Sequence, residues 1–321
     1  MGRDESLNAL RDDRVSQRLA QTSLETAKNY WLAGAIAPVK ADLALFDSGV
    51  AFDECLALKR LLRSKDAAND ALAALFDAIG LSLNKNPLGQ VPFRHQYQHG
   101  IGLLQLVAAG DAALSLVLYE QQNQPPPQSV CFTDTDCHEL VLAGTGTAQV
   151  LELESRCDRP ADISSSAVQL LPGKCLSIVG ANKAKQMQSV RGSMVVLRLS
   201  RTPSSRQESR EYRLADGKLL HRASGDPSES RKEMIAALLG AMERTDAAPA
   251  LAELTRHGSD QLRWQALRNC LALDSGKGFQ ALSTLANMSE DSLAGQAGAL
   301  RTQLLAAYPE LSKVEVELCP A

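Results

Sequence analysis

Seven side chains in this sequence carry chemistry suited to holding a ligand or an ion. His95, Tyr97 and His99 lie in Arg94-His-Gln-Tyr-Gln-His-Gly100, His138 and Glu139 are neighbours, and Lys183 and Lys185 follow further on. Imidazole nitrogens with a carboxylate form the donor set of a divalent transition metal. His95 and His99 are four positions apart, and on a strand that spacing puts both on one face. His138 or Glu139 from a facing strand would then complete a three-ligand site. The plainer reading makes them polar residues of an outer sheet face, each hydrogen-bonded or hydrated. Lys183 and Lys185, with Lys174, form either a basic rim suited to an anionic ligand or a solvated face. Arg198, Arg201, Arg206, Arg210 and Arg213 pose the same choice between an anion-binding strip and a solvated run. Nothing supports nucleophilic catalysis: Cys137 and His138 are sequence neighbours, so on a strand they point to opposite faces. Gly144-Thr-Gly146 lacks the following helix start that a phosphate loop needs, and a β-turn explains it.

The elements that must position these groups are readable from hydrophobic period. Up to about Leu83 the spacing is helical, as in Leu24, Ala27, Tyr30 and Trp31, then Leu43, Leu45 and Phe46 after Pro38. A helix is expected from Asp66 to Ile79 on the stripe Leu72, Leu75, Phe76 and Ile79, with Gly80 as its stop. Asn84 to Pro92 is turn chemistry. Ile101 to Val107 and Ala112 to Tyr119 then read as a hairpin around Ala109-Gly-Asp111, and Asp216-Gly217 marks a second hairpin. Pro125, Pro126 and Pro127 require an extended loop.

Four strand-like stretches follow: Cys137-His-Glu-Leu-Val-Leu-Ala-Gly-Thr-Gly146, Ala148 to Leu153, Leu170-Leu-Pro-Gly-Lys-Cys-Leu-Ser-Ile-Val-Gly180, and Ser193 to Ser200. Their order resembles the cupin barrel. Glu139 stands near the family's metal-binding glutamate, and Pro172-Gly173 matches the bend before its second motif. The family's His-x-His pair would fall within Phe132-Thr-Asp-Thr-Asp136 and its last histidine near Ala184 or Lys185. Both stretches lack histidine, and none occurs between His138 and His221. The resemblance therefore implies the fold without the family's metal chemistry.

After Asp226 the chain turns helical and repeats itself weakly. Ala250-Leu251 and Leu254, then Asp260, Leu262, Gln265 and Ala266, are echoed 31 residues later by Ala281-Leu282 and Leu285, then Asp291, Leu293, Gln296 and Ala297. Paired helices at that period resemble HEAT-type repeats. The resemblance implies that the aspartate caps its helix and that Arg263 and Ala266 face the neighbouring repeat. The repeat is imperfect, since Gly295 stands where the first copy has Trp264.

Composition sets the outer bounds. A net charge of −3 over 321 residues points to neither nucleic acid nor a membrane surface as partner. The N-terminal Met1-Gly-Arg-Asp-Glu-Ser-Leu7 lacks the apolar core of a secretory signal, and Gly2 is followed by residues that argue against myristoylation. Seven scattered cysteines without a Cys-x-x-Cys fit a reduced cytoplasm, most of them as small apolar fillers.

The expectation is an α+β multidomain chain: an N-terminal helical segment over 1–84, a central antiparallel cupin-like β-barrel over 85–225 and a HEAT-like helical domain over 226–321. Its expected function is a non-catalytic small-molecule-binding or regulatory scaffold protein, without a cofactor, whose C-terminal helices contact a protein partner. The candidate ligand residues are the seven named above, and a homodimer is left open. The alternative is a cupin-type metalloenzyme, an isomerase or oxygenase, with a transition metal relocated to His95, His99, His138 and Glu139. A third reading is a structural or assembly role, in which the N-terminal helices dimerise and Ala167, Leu170, Ile178, Met194, Val196 and Leu199 fill the barrel.

Overall fold

The computed structural model describes residues 13–85, 89–121, 125–154, 160–204 and 207–316. Gly2, Cys157, Arg206 and Cys319 lie outside them. The described chain forms two compact units, residues 1–205 with 211–220, and residues 206–210 with 221–321.

In the first unit, helices α1 (Arg14–Ala33), α2 (Ala37–Asp47), α3 (Leu56–Arg63) and α4 (Lys65–Lys85) precede the strands. Asp13 caps α1 by accepting from the Ser16 amide, and Pro38 opens α2, where its missing N–H has no helical partner to lose. Leu72, Leu75 and Ile79 are buried as the helical stripe predicts, whereas Phe76, Tyr30 and Leu45 are exposed. Gly80 does not stop α4. It lies in open space inside the helix, which runs on to bury Ser82 and includes Asn84, where the turn was expected to begin. One glycine weakens an exposed helix interior by only about 1 kcal/mol, and the tertiary contacts beyond it outweigh that.

The strands are β1 (Arg94–Gln98), β2 (Ile101–Ala109), β3 (Ala112–Glu120), β4 (Ser129–Phe132), β5 (Asp136–Leu153), β6 (Ile163–Leu170), β7 (Cys175–Ile178), β8 (Lys183–Arg201), β9 (Ser209–Arg213) and β10 (Leu219–Ala223). A seven-stranded antiparallel sheet runs β1-β2-β3-β8-β5-β6, with β7 also on β5. Both expected hairpins form: Ala109 pairs with Ala112, and Gly217 turns with φ +65°. The pairings close no ring among the described residues, because β1 pairs with β2 alone and β6 with β5 alone. The structure thus bears out the expected antiparallel strands, as a bent sheet and not as a closed barrel among the described residues.

The bend comes from β5 and β8. These long strands pair from Asp136↔Arg201 to Glu152↔Lys183, with register shifts between Val141, Ala143, Thr145 and Ala148. Such bulges kink and twist a ladder. At Gly144 (φ +77°) an added Cβ would stand 2.1 Å from the Ser193 carbonyl oxygen, so only glycine fits where the strands come closest.

Period-2 alternation then gives the sheet two different faces. Leu114, Leu116, Leu140, Leu142, Leu197 and Leu199 share one core with Leu24, Trp31, Leu43 and Phe46 of the helices. Val117, Tyr119, Val141, Met194 and Val196 point the other way, into the concave side. A third cluster joins Val130 and Phe132 of β4 to Leu151, Ala184 and Tyr212.

In the second unit the helices are α5 (Pro227–Ala241), α6 (Ala248–Leu254), α7 (Asp260–Leu273), α8 (Ser275–Ala286) and α9 (Ala294–Ala307), ahead of the short α10 (Ser312–Val316). The two sequence echoes fall on α6–α7 and α8–α9. Ser259, and not Asp260, caps α7, because its hydroxyl accepts from the Leu262 amide. Buried Arg263 donates to the Thr255 carbonyl at 2.9 Å, to Asp260 at 3.4 Å and to Asp291 of the second echo at 2.5 Å. No helix among the described residues is long and apolar enough to cross a membrane.

A shared core between helices and sheet makes a specific demand. With Trp264 replaced by Phe, Trp31 alone reports unfolding of the first unit. Leu43→Ala on α2 and Leu197→Ala on β8, both fully buried, are each expected to remove about 2–5 kcal/mol from the one Trp31 transition in urea. A Trp31 transition untouched by Leu197→Ala would show that the helices fold apart from the sheet.

Candidate functional site

Glu139 on β5 and Arg198 on β8 are directly opposed in the ladder and both point to the concave side. Lys185 also reaches Glu139, although it pairs with Val150 at the far end of β5. Val150 and Glu139 are 11 positions apart (150 − 139), which on a flat strand would separate them by about 36 Å. The contact exists because the bend folds the first half of β8 back over the second. Glu139 Oε2 accepts from Lys185 Nζ, and Oε1 accepts from Arg198 Nε at 2.8 Å. Tyr119 of β3 completes the group. Its hydroxyl oxygen accepts from Arg198 Nη2 and from Lys185 Nζ, the latter at 3.4 Å.

The cluster is nearly dry. Side-chain exposure is 4% for Glu139, 9% for Lys185 and 24% for Arg198. Burial by itself raises the Glu139 pKa, but the adjacent Lys185 and Arg198 charges overcome it and hold the carboxyl below its ordinary range. Glu139 is thus ionised at neutral pH. Arg198 is held above its ordinary value: burial opposes its charge, and Tyr119 and Glu139 more than compensate. Cys137, beside Glu139, is pushed up to about 11, first by burial and then by the Glu139 charge. It remains a thiol and not a nucleophilic thiolate.

These groups line a cavity of about 520 Å³ in the first unit, a size ordinary for small-ligand sites. Ile101, Ile178, Met187 and Val190 supply apolar wall, while Thr133, Thr135 and Gln188 add polar groups. Gln186, also on the wall, is fixed by donating to the Pro127 and Ser129 carbonyls at 2.8 and 3.2 Å, which ties down the extended proline loop.

Of the seven candidates, Glu139, Lys183 and Lys185 line this cavity. Lys183 sits at its edge in a salt bridge of 3.2 Å to Glu152. His138, one residue from Glu139, faces the helices. Its ring stacks on Phe52 at 4.0 Å between centroids, and Nδ1 lies 2.9 Å from the Ser177 hydroxyl. His95 is on exposed β1, with Nδ1 3.0 Å from the Phe93 carbonyl oxygen. His99 is not on the strand at all. It occupies the β1–β2 turn with φ +47°, so the shared face drawn from its spacing with His95 does not form. Tyr97 is exposed and donates to Glu120. His95, His99, His138 and Glu139 are therefore not gathered, and among the described residues no three His, Cys, Asp or Glu side chains are placed to hold a metal ion. A transition metal does not fit the relocated set.

Each described arginine of the candidate strip has a carboxylate partner of its own. Arg198 enters the cavity, Arg201 pairs with Asp136 at 2.6 Å over the Phe46 ring, Arg210 pairs with Glu208, and Arg213 with Asp216. Sequence reading missed Tyr119 as a site residue, and named Arg198 only within the arginine run, not beside Glu139. The signal available was Met194-x-Val196-x-Arg198, a charge placed on the apolar face of an alternating strand.

No family model matches this sequence, and no curated protein matches it. Among solved structures, a variant of Streptomyces PAC13 with uridine is similar over 38% of this chain and 85% of its own, at 18% identity and TM-score 0.25. Momordica charantia 7S globulin covers 38% of this chain and 35% of its own, at 10% identity and TM-score 0.27. HutD from Pseudomonas fluorescens SBW25 covers 35% and 58%, at 15% identity and TM-score 0.25.

The setting of His138 has a pH consequence. Burial, the leading cause, lowers its pKa from 6.5 and outweighs Asp136 and Asp53, which raise it; Arg63 and Arg201 act with burial. The folded state thus binds fewer protons than the unfolded state below about pH 6.5, so stability falls on acidification and the loss is complete only below the folded pKa. Urea unfolding between about pH 7.5 and 5.5 should show a shallower fall for His138→Gln than for the parent. Equal falls would mean that His138 titrates alike in both states.

Proposed function

We propose that the first unit is a cupin-like domain that binds a small organic molecule without transforming it, and that the protein acts as a ligand-responsive regulatory or scaffold protein. The observation that carries this reading is the cavity over Glu139, Lys185, Arg198 and Tyr119. Fixed polar groups converge at one part of a wall that elsewhere mixes apolar and neutral polar side chains with rim charges, which is how ligand sites combine affinity with orientation. The bent sheet with its two long paired strands supports the cupin-like assignment. The high thiol pKa of Cys137 and the ion-paired state of Glu139 argue for binding over acid–base or nucleophilic turnover. Cysteines 55, 131, 137, 175 and 270 are free, in keeping with a cytoplasmic setting.

N-phenyl-1-naphthylamine, a neutral fluorophore, and its sulfonated relative 8-anilinonaphthalene-1-sulfonate test the cavity. Saturable one-to-one binding of at least one probe is expected, with loss in Cys137→Trp and in Thr135→Trp, which fill the cavity from the β5 side. Binding of neither probe, or undiminished binding in a folded, filled variant, overturns the reading.

The second part of the proposal gives the helical unit a protein-contact role. Met234, Leu238 and Met242, one helical turn apart, and Ile235 beside them are 55–70% exposed on and just beyond α5. We take the partner to be a second copy of this chain, because one apolar stripe can meet the same stripe of a copy in a symmetric, self-complementary contact. Sedimentation velocity should then show a dimer that Leu238→Asp converts to monomer. A parent protein monomeric at high micromolar concentration would remove the dimer.

A further inference from the structure

The charge count of the cavity says more than that it binds something. Glu139 carries one negative charge and faces two cations, Lys185 and Arg198, so the buried cluster holds one positive charge in excess. The other charges on the wall are at the rim. Lys183 is 41% exposed and paired with Glu152, and Glu120 takes the Tyr97 hydroxyl in an exposed contact. Water and salt screen both.

Donor capacity is left over at the same place. Arg198 uses Nε and Nη2 on Glu139 and Tyr119, and its Nη1 has no partner among the described residues. It is not sealed in the protein, since it is absent from the buried atoms that lack a hydrogen bond. Lys185 has three ammonium protons and two acceptors, Glu139 and Tyr119. The Tyr119 oxygen accepts from both cations, which leaves its own proton to donate. Arginine, lysine and tyrosine donors thus converge beside apolar wall from Ile101, Ile178, Met187 and Val190.

We infer that the cavity selects a monoanionic organic acid, a carboxylate on an apolar body, whose head group seats on Arg198, Lys185 and Tyr119. This rests on the cavity being a ligand site. One uncompensated positive charge matches one negative charge in a dry environment, where excess charge of either sign is strongly disfavoured. A carboxylate satisfies that balance. A phosphate monoester, mostly dianionic at neutral pH, overshoots it. Charge-assisted hydrogen bonds from arginine to an oxyanion are roughly twice as strong as neutral ones, so the head group contributes orientation as well as affinity.

The two naphthyl probes differ only by the sulfonate, a monoanion that stands in for the carboxylate. At neutral pH the intact protein should bind the sulfonated probe about tenfold more tightly than the neutral one. Arg198→Gln, which leaves the neutral Lys185–Glu139 pair, should bring that ratio close to one while sparing the neutral probe. If Arg198→Gln does not fold, the double variant Glu139→Gln/Lys185→Gln keeps a single positive charge on Arg198 and should retain the preference. Octanoate should displace the sulfonated probe better than octanol and better than octyl phosphate. A ratio near one in the parent protein, a ratio that Arg198→Gln leaves unchanged, a preference lost in the double variant, or stronger displacement by octyl phosphate each overturns the inference. Failure of both probes to bind would instead remove the ligand site itself.

Discussion

The first unit is organised around one carboxylate. Glu139 is almost wholly removed from water and is ionised there only because Lys185 and Arg198 both reach it. Arg198 is its ladder partner and comes from local pairing. Lys185 comes from the opposite end of the same strand, and can arrive only if β8 and β5 fold over together. The charge cluster and the bend therefore require each other. Without the bend, Glu139 would face a single arginine; without Lys185, the folded-over half of the sheet would lose its polar anchor. Buried ion clusters add little net stability, because desolvation consumes most of the Coulomb gain. A one-residue slip in register would carry the lysine to the other face, so the cluster favours the observed strand pairing.

That geometry divides labour between the two sides of the sheet. His138 and Glu139 are adjacent in sequence and live in different environments. The imidazole is packed between Phe52 and Phe46 on the helix side, and the carboxylate lies in the cavity. The helices α1 to α4 supply apolar cover for one face, which frees the other from contributing to that core. A concave face relieved of that duty can carry charges and empty space. The interior is not simply hollow, however. Leu170, Met194 and Val196 pack with Val117 and Val141 as the structural reading of the sequence expected, while Ile178 lines the cavity, Leu199 belongs to the helix side and Ala167 is exposed on β6. The concave side is thus part core and part cavity wall, with Tyr119 belonging to both.

Local features of this architecture are legible in the sequence. The hairpins at Gly110 and Gly217 follow from turn chemistry, the helical stripes of α1 and α4 from apolar period, and the paired helices α6–α7 and α8–α9 from an echo 31 residues apart. The errors share a physical origin. Gly80 was an expected stop, yet helix ends are set by what the next turn can bury. His95 and His99 were placed on one face by counting along a strand that ends at Gln98. Lys185 and Arg198 fall in two separate basic groups, each either anion-binding or solvated, and nothing local shows that 13 residues of β8 (198 − 185) return to the same point. Curvature is a property of the bulged ladder, and the ladder needs two strands to define it.

The position of Lys185 bears on why the chain lacks imidazoles where the cupin resemblance would place them. A site built to hold a divalent ion must offer several neutral or anionic donors around one point. Here Glu139 stands at the resemblance's carboxylate position, and an ammonium from the region of the expected histidine occupies the space in front of it. A fixed cation covalently tied to the strand satisfies the carboxylate without any exchangeable ion. It also differs from a metal in what it offers next: hydrogen-bond donors in fixed directions rather than open coordination positions. On the proposed ligand-binding reading, an ammonium and a guanidinium in that place hold an oxyanion by charge and by hydrogen bonds of fixed direction.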